Sequence, residues 1–556
     1  MVAFSRIAGV VIALGLAVTL TQIKTSNASG NFVSEDRIRE HAAFSYGPTG
    51  PGAAISITQG NEVLFAEGYG NADLEWQAEI TPDTSFRIGS VTKPFTAIAV
   101  LQMVSQGKLD LDAQLSTYLP DLPGVLGQPT LRQLLSHTSG LSDHFWLPEI
   151  PAIMRNPTSP NDIVALMADT QFMFDPGTAW AYSNFNYVLL GILIEEMDDA
   201  NRSYGTYIEE EIFAAAGMEN SHYDHQSAVI PGRARGYDNA GQGPINTMTS
   251  ETSLAYAAGA LMSSANDMAR FTQALVDGTL LSNEMRDAAW ADTALADGSL
   301  TGYGLGFNVD TFMGEEIFWH SGSINGFQAT WIFVPELDRS VTVLSNGYYQ
   351  ANTTATARRI LAEMAGVNVP LFDALNFEDA TWGSLQGRYR LEDDRILQIH
   401  MQDGARYNID GGSWHELAFN GDGVFFWLDT LAHIRVPTEP GISPNNLTYY
   451  STVLEQFAAT RMDGEIEGAV ASLPLDTEEA HAAAGDWRLG SGDPVVVSFD
   501  GTVVFLQIGG QPPNAIYRSG ERAYFTRDVP ISIEFAADYQ TAELNMYGNI
   551  LHITRE

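Results

Sequence analysis

Cysteine is absent from the 556 residues, which excludes disulfides, thiol nucleophiles and cysteine-ligated zinc or iron–sulfur centres. Lysine is nearly absent too: Lys24, Lys93 and Lys108 are the only ones. With 28 basic residues against 68 acidic ones the net charge is −40, which argues against nucleic acid and anionic membrane as partners. Such acidity reads first as a well-solvated surface. No His-Glu-x-x-His occurs, and His222 and His225 stand in an ordinary polar loop, so neither a metal nor a cofactor is expected. The Gly-x-Ser-x-Gly elbow of α/β-hydrolases is missing as well. After residue 28 no apolar run is long enough to cross a bilayer.

What is present starts with Met1 to Ala28, which reads as a signal peptide. Arg6 is its charged start, Ile7 to Leu20 its apolar stretch, and Ser26-Asn27-Ala28 a small-x-small cleavage site. The apolar stretch is short for a spanning helix, and an uncleaved anchor is the alternative. Cleavage removes Arg6 and Lys24 and no acid, taking the charge from −40 to −42. A secreted or periplasmic protein is expected, with no membrane contact beyond that peptide. Its stability must come from hydrophobic cores alone.

At this length two to four domains are expected. From Ala53 to Tyr69 two apolar runs flank Gln59-Gly60-Asn61-Glu62, a hairpin signal. Residues 90–106 are apolar on nearly every helical face, which predicts a buried helix ended by Gly107. Helical periodicity recurs at 130–137, 161–169, 184–198, 204–216 and 265–277. Strands are expected again at Ile317–His320, Ala329–Val334 and Ser340–Ser345, then a helix from Thr353 to about Ala365. Strands at both ends with helices between them predict one α+β domain over residues 29–372, its sheet built from both termini and a helical lobe inserted. Beyond Pro370 short alternating strands are broken by Gly, Asp, Asn and Pro. Gly387-Arg388-Tyr389-Arg390-Leu391 recurs 98 positions later as Gly485-Asp486-Trp487-Arg488-Leu489. Residues 373–475 and 476–556 are therefore read as two similar small antiparallel β-barrels or sandwiches.

Lys93 carries the chemistry. A lysine kept where lysine is otherwise shed sits in Ser90-Val91-Thr92-Lys93, at the start of the apolar helix. Three positions apart at a helix start, the two side chains share one face. A serine hydroxyl needs a base to become a nucleophile. Burial and the positive helix end both favour the neutral amine. Ser105-Gln106-Gly107-Lys108 has the same spacing, but Gly107 breaks the helix and leaves Lys108 in an exposed loop. A second segment, Pro176-Gly177-Thr178-Ala179-Trp180-Ala181-Tyr182-Ser183-Asn184, leads into a helix. Its Tyr182 can relay a proton and its Asn184 can hold a substrate amide, although a core tyrosine and a helix cap would read alike. A third, Trp319-His320-Ser321-Gly322-Ser323, is placed on an edge strand, where glycine admits a ligand backbone and strand amides can form an oxyanion hole. A lone histidine on a strand also reads as structural.

In this order the three segments resemble the serine β-lactamase and penicillin-binding-protein superfamily. The Tyr-x-Asn form is similar to the branch with class C β-lactamases, D-alanyl-D-alanine carboxypeptidases, D-aminopeptidases and esterases. Arg132 to Leu141 and Tyr303-Gly304-Leu305-Gly306-Phe307 look like further segments of it. The resemblance implies a β-lactamase-like domain with Ser90 as acylated nucleophile, Lys93 as base and Tyr182 as relay and as base for the hydrolytic water. It further implies that Asn184, His320, Ser321, Gly322 and Ser323 bind substrate, the N–H groups of Ser90 and Ser323 forming the oxyanion hole. His137 is assigned to structure. His320 stands where true β-lactamases carry lysine, so it is expected to hold a substrate carboxylate only while protonated, near or below its ordinary pKa of about 6.5. The C-terminal half resembles the two barrels of D-aminopeptidases, whose last barrel sends a loop to the active site. Here Tyr524 to Ile531 is short for that loop, and Asp528 is its candidate amine ligand or a hairpin-tip carboxylate. The expectation is a secreted peptidase or amidase acting on D-configured or small peptides. The alternatives are an esterase, or a penicillin-binding protein of little turnover associated with the cell wall.

Overall fold

The computed structural model describes residues 35–371 apart from 240–242, 249, 348–351, 368 and 370. Between 382 and 555 it describes all but 402–404, 410–414, 420–422, 427–431, 437–444, 451–455, 463–474, 490–493, 500, 502, 509–513, 527–530 and 547–548. The signal peptide, Pro370 and Asp528 lie outside the described residues.

Six antiparallel strands form the central sheet, in the order Asn308–Phe312, Glu315–Ile324, Phe327–Val334, Arg339–Ser345, Ala53–Gln59, Glu62–Tyr69. The N-terminal hairpin thus sits beside the last strand, joining the two ends of the domain. Alternation along the strands divides the side chains between two cores. Ile55, Ile57, Ile332, Val341 and Val343 face one side with Ile38 and Ala42 of helix Glu35–Ser45 and Ile360 of helix Thr353–Met364. Those two helices are tied by Arg37, which donates to buried Glu363 at 2.6 Å. Ala54, Trp331, Phe333 and Leu344 face the other side, against Phe95, Phe271 and the rest of the helical lobe.

Two helices of that lobe carry Lys93 and Asn184, singled out from the sequence. Thr92–Ser105 buries every residue from Thr92 to Leu101. Asn184–Met197 buries Phe185 to Gly191, Leu193 and Ile194. A helix apolar all round is stable only when wrapped by other elements, so neither can shift without disturbing the core.

Two closed eight-stranded antiparallel barrels follow, spanning Gly387 to Met462 and Gly485 to Arg555. Each has its own core, around Tyr389, Leu397 and Phe425 in the first and Trp487, Val497 and Leu544 in the second. The five-residue echo is the first strand of each. Its aromatic is buried and donates to a backbone carbonyl four residues back: Tyr389 Oη to Leu385, Trp487 Nε1 to Ala483. An arginine of each last strand, Arg461 or Arg555, lies 5.5 Å over that ring. The glycine opening each echo gives the guanidinium room, since a Cβ would meet it at 2.9 Å on Gly387 and 3.0 Å on Gly485.

Candidate active site

Strand Phe86–Arg87 pairs with Met262–Ser263 and runs into a 3₁₀ turn, Gly89–Val91, that opens the buried helix. Ser90 lies on this turn, partly exposed. Gly89 has φ 50°, a backbone state that side chains resist, and a Cβ there would come within 2.8 Å of the Ser323 nitrogen. From the other side, a Cβ on Gly322 would sit 1.9 Å from the Ile88 carbonyl oxygen and 2.9 Å from the Ser90 nitrogen. Two glycines therefore let the Ser90 turn and strand Glu315–Ile324 touch backbone to backbone.

That strand is not the edge strand expected from sequence. It lies inside the sheet, but Asn308–Phe312 pairs only with its residues 315–319. The side of residues 320–324 left open by this short neighbour is where the Ser90 turn docks. The open edge is local.

Lys93 is fully buried in the first helical turn. Its Nζ lies 3.2 Å from Ser90 Oγ, 2.8 Å from Asn184 Oδ1 and 2.9 Å from the Ala258 carbonyl oxygen. The Tyr182 and Tyr187 rings close over it, with centroids at 4.7 and 5.4 Å. Burial pushes the amine down to about 7, against the opposing pull of the Asp143 charge. A neutral amine has two N–H groups and one lone pair. With carbonyl-type oxygens of Asn184 and Ala258 taking the two hydrogens, the lone pair is left facing Ser90.

Tyr182 hydrogen-bonds Ser90, and burial raises its phenol well above the ordinary value. Its ring packs 4.4 Å from the ring of His137, a buried residue held at φ 58°. His137 Nδ1 accepts the Ser183 N–H at 3.2 Å. Burial, then Lys93 and His320, keep this imidazole neutral. His137, read as structural, thus forms the floor beneath Tyr182.

His320 is 2% exposed. Its Nδ1 faces the Ser321 carbonyl oxygen at 2.7 Å, and its Nε2 accepts from Tyr303 Oη at 2.9 Å. Desolvation, reinforced by Lys93, holds it down at about 3. The expectation that His320 titrates near neutrality to anchor a carboxylate is therefore corrected: it is a neutral imidazole whose two nitrogens are both taken. Ser321 is partly exposed and Ser323 exposed, at the open side of the strand.

All eight residues singled out from the sequence, Ser90, Lys93, Tyr182, Asn184, His320, Ser321, Gly322 and Ser323, gather at this one place. The second tetrad does not. Ser105 Oγ donates to Leu101 O at 2.9 Å, and Lys108 pairs with Asp199 at 2.7 Å. Two further residues of the site have no role assigned from the sequence. Asp143 follows the Ser-His-Thr-Ser-Gly-Leu run and binds Asn184; Tyr303 opens the quoted Tyr-Gly-Leu-Gly-Phe segment and holds His320. Asp143 stands just past one family-like segment and Tyr303 opens another, which is the available signal.

The match to known proteins agrees with this geometry. Residues 41–365 fit the Beta-lactamase family, and the chain belongs to it, a family of serine hydrolases. It is 33% identical over 259 residues to the putative penicillin-binding protein PbpX of Bacillus subtilis (strain 168), spanning 62% of that protein and 46% of this one. It is 25% identical to penicillin-binding protein 4* of the same strain, across 68% of this chain and 88% of that one. Among solved structures, the D-amino acid amidase from Ochrobactrum anthropi SV3 complexed with L-phenylalanine amide superposes with a TM-score of 0.51 at 26% identity, over 60% of this chain and 98% of that one. The octameric penicillin-binding protein homologue from Pyrococcus abyssi shares the fold over 94% of this chain and 99% of its own, with a TM-score of 0.53 at 20% identity.

Proposed function

We propose that the protein is a secreted amidase or peptidase that forms an acyl-enzyme on Ser90 and acts on small, D-configured substrates lacking a carboxylate beside the scissile bond. The observation that carries this reading is the buried Lys93 amine 3.2 Å from Ser90 Oγ, held near neutrality by desolvation. Ser90 Oγ attacks the carbonyl carbon as Lys93 takes its proton. The N–H groups of Ser90 and Ser323 receive the oxyanion. Tyr182 keeps its proton at working pH. It gives that proton to the leaving nitrogen and recovers one from the Lys93 ammonium, so one proton passes from serine to leaving group. Water then attacks the ester by the reverse relay, and Ser90 regains its proton.

Substrate choice follows from His320. A neutral imidazole with both nitrogens engaged offers nothing to a carboxylate, so amides and esters are preferred over free peptide acids. Trp180 stands 39% exposed beside His137 and Tyr303, and Phe145 is 42% exposed just beyond Asp143. Both suit an apolar acyl side chain. The Ochrobactrum neighbour, an amidase of D-amino acids by its description, supports the D-configured class. Residues 1–28 supply the export signal, and no helix among the described residues is long and apolar enough to cross a membrane.

The test is a panel of D- and L-amino-acid amides, p-nitrophenyl esters and a chromogenic cephalosporin, with intact mass followed throughout. Turnover of D-amides and esters without a lasting adduct is expected. A stable cephalosporin adduct with no turnover of any amide or ester would instead make this a penicillin-binding protein.

A further inference from the structure

Asp143 accepts three hydrogen bonds, and two of them come from one residue. Its Oδ1 takes the Phe145 N–H at 3.0 Å as cap of the short helix His144–Trp146. Its Oδ2 takes both the backbone N–H of Asn184 at 3.0 Å and the side-chain Nδ2 at 2.7 Å. Asp143 is 6% exposed, so little water competes for these bonds. They fix which way the Asn184 amide faces. With Nδ2 against the carboxylate, Oδ1 must face Lys93, where it accepts from Nζ at 2.8 Å. Flipping the amide would set oxygen against carboxylate and N–H against N–H, two repulsive contacts in a buried place. A shield of apolar and aromatic groups makes the orientation, and the charge behind it, felt at the amine.

We infer that Asp143 is a positioning residue of the site: through Asn184 it aims the Lys93 amine at Ser90, and through its charge it sets the pH at which that amine becomes a base. The inference rests on the reading of Lys93 as the base. Other titratable groups face Lys93 from every side: His137 and Tyr182 from the loops, Tyr187 from helix Asn184–Met197, His144 from beside Asp143, and His320 from the sheet. The histidines are held below and the phenols above their ordinary values, mainly by burial. All are uncharged near neutral pH. Asp143 is the anion of the group.

The sign is fixed. An anion stabilises the ammonium, so removing the charge lets Lys93 lose its proton at lower pH. In Asp143→Asn, a carboxamide oxygen can still accept from Asn184, and the acid limb of the kcat/KM profile should move down by about 1 pH unit. In Asp143→Ala the amide is also released, and kcat should fall about tenfold or more. Asp143→Glu keeps the charge on a longer arm, so the limb should stay and kcat should fall. A limb that does not move in a folded Asp143→Asn, with kcat unchanged, overturns the inference and leaves Asp143 a helix cap. If Asp143→Asn does not fold, a downward limb shift in Asp143→Glu overturns it equally, because the charge is kept there. Wild type and Ser90→Ala, run alongside, separate the two readings. A wild-type acid limb near 7 upholds Lys93 as base whatever Asp143 does, and its absence removes the base itself; loss of turnover in Ser90→Ala shows that the rate profiled passes through the acyl-enzyme.

Discussion

His320 shows how far a residue type can be read before its surroundings are known. The sequence gives a histidine in place of a lysine, and an isolated imidazole titrates near pH 6.5. Burial behind Tyr303 removes that titration from the physiological range. Two pH dependences follow, one rising and one flat. Lys93 must be deprotonated to act, so kcat/KM for a neutral amide should rise with pH and level off above about 7. His320, at about 3, is already neutral from pH 5 upward, so the ratio of rates for a matched acid and its methyl amide should stay flat from about pH 5 to 9. A ratio that falls through pH 6 to 7 would return His320 to the role of a titrating anchor. The proposed reactive pair is legible in the sequence, because Ser90 and Lys93 are three residues apart where the helix begins. Asp143 and Tyr303 act across 41 and 17 residues of sequence, and nothing local marks such contacts.

Elements meet here through glycine. The interior strand Glu315–Ile324 offers an open edge only where its short neighbour stops, a property of strand lengths that local alternation does not encode. Its Gly322 was noted as a place for a ligand to approach. In the structure the nearer visitor is the protein's own Ile88 carbonyl. Gly322→Ala puts a methyl 1.9 Å from that oxygen, so the strand must retreat from the Ser90 turn and the two N–H donors separate. The expected loss is about 10²–10³ in kcat, the scale of losing one oxyanion donor. Gly47→Ala, whose Cβ would meet nothing nearer than 3.7 Å, serves as the neutral control. Near-normal kcat in Gly322→Ala would show that the two donors do not act together.

Across the whole molecule the three units have separate cores. The β-lactamase-family unit is closed by helix Thr353–Met364 returning to the sheet, before the barrels begin. A chain ending at residue 371 should therefore fold and keep its rate on a small neutral ester, while its ranking of peptides changes if the barrels shape access. An unchanged ranking would make the barrels spacers or wall-binding modules. The five-residue echo pointed to the barrels because it is their shared first strand. Arg461 and Arg555 stayed illegible, since each meets its ring only after 72 and 68 intervening steps of chain have closed the barrel.

The most direct measurement is covalent. Wild type, Ser90→Ala and Ser105→Ala are mixed with a p-nitrophenyl ester, quenched in acid within one turnover, and weighed intact. Wild type and Ser105→Ala should each carry one acyl group, and Ser90→Ala none, with its turnover abolished. An acyl group or substantial turnover on Ser90→Ala would contradict the account at its centre.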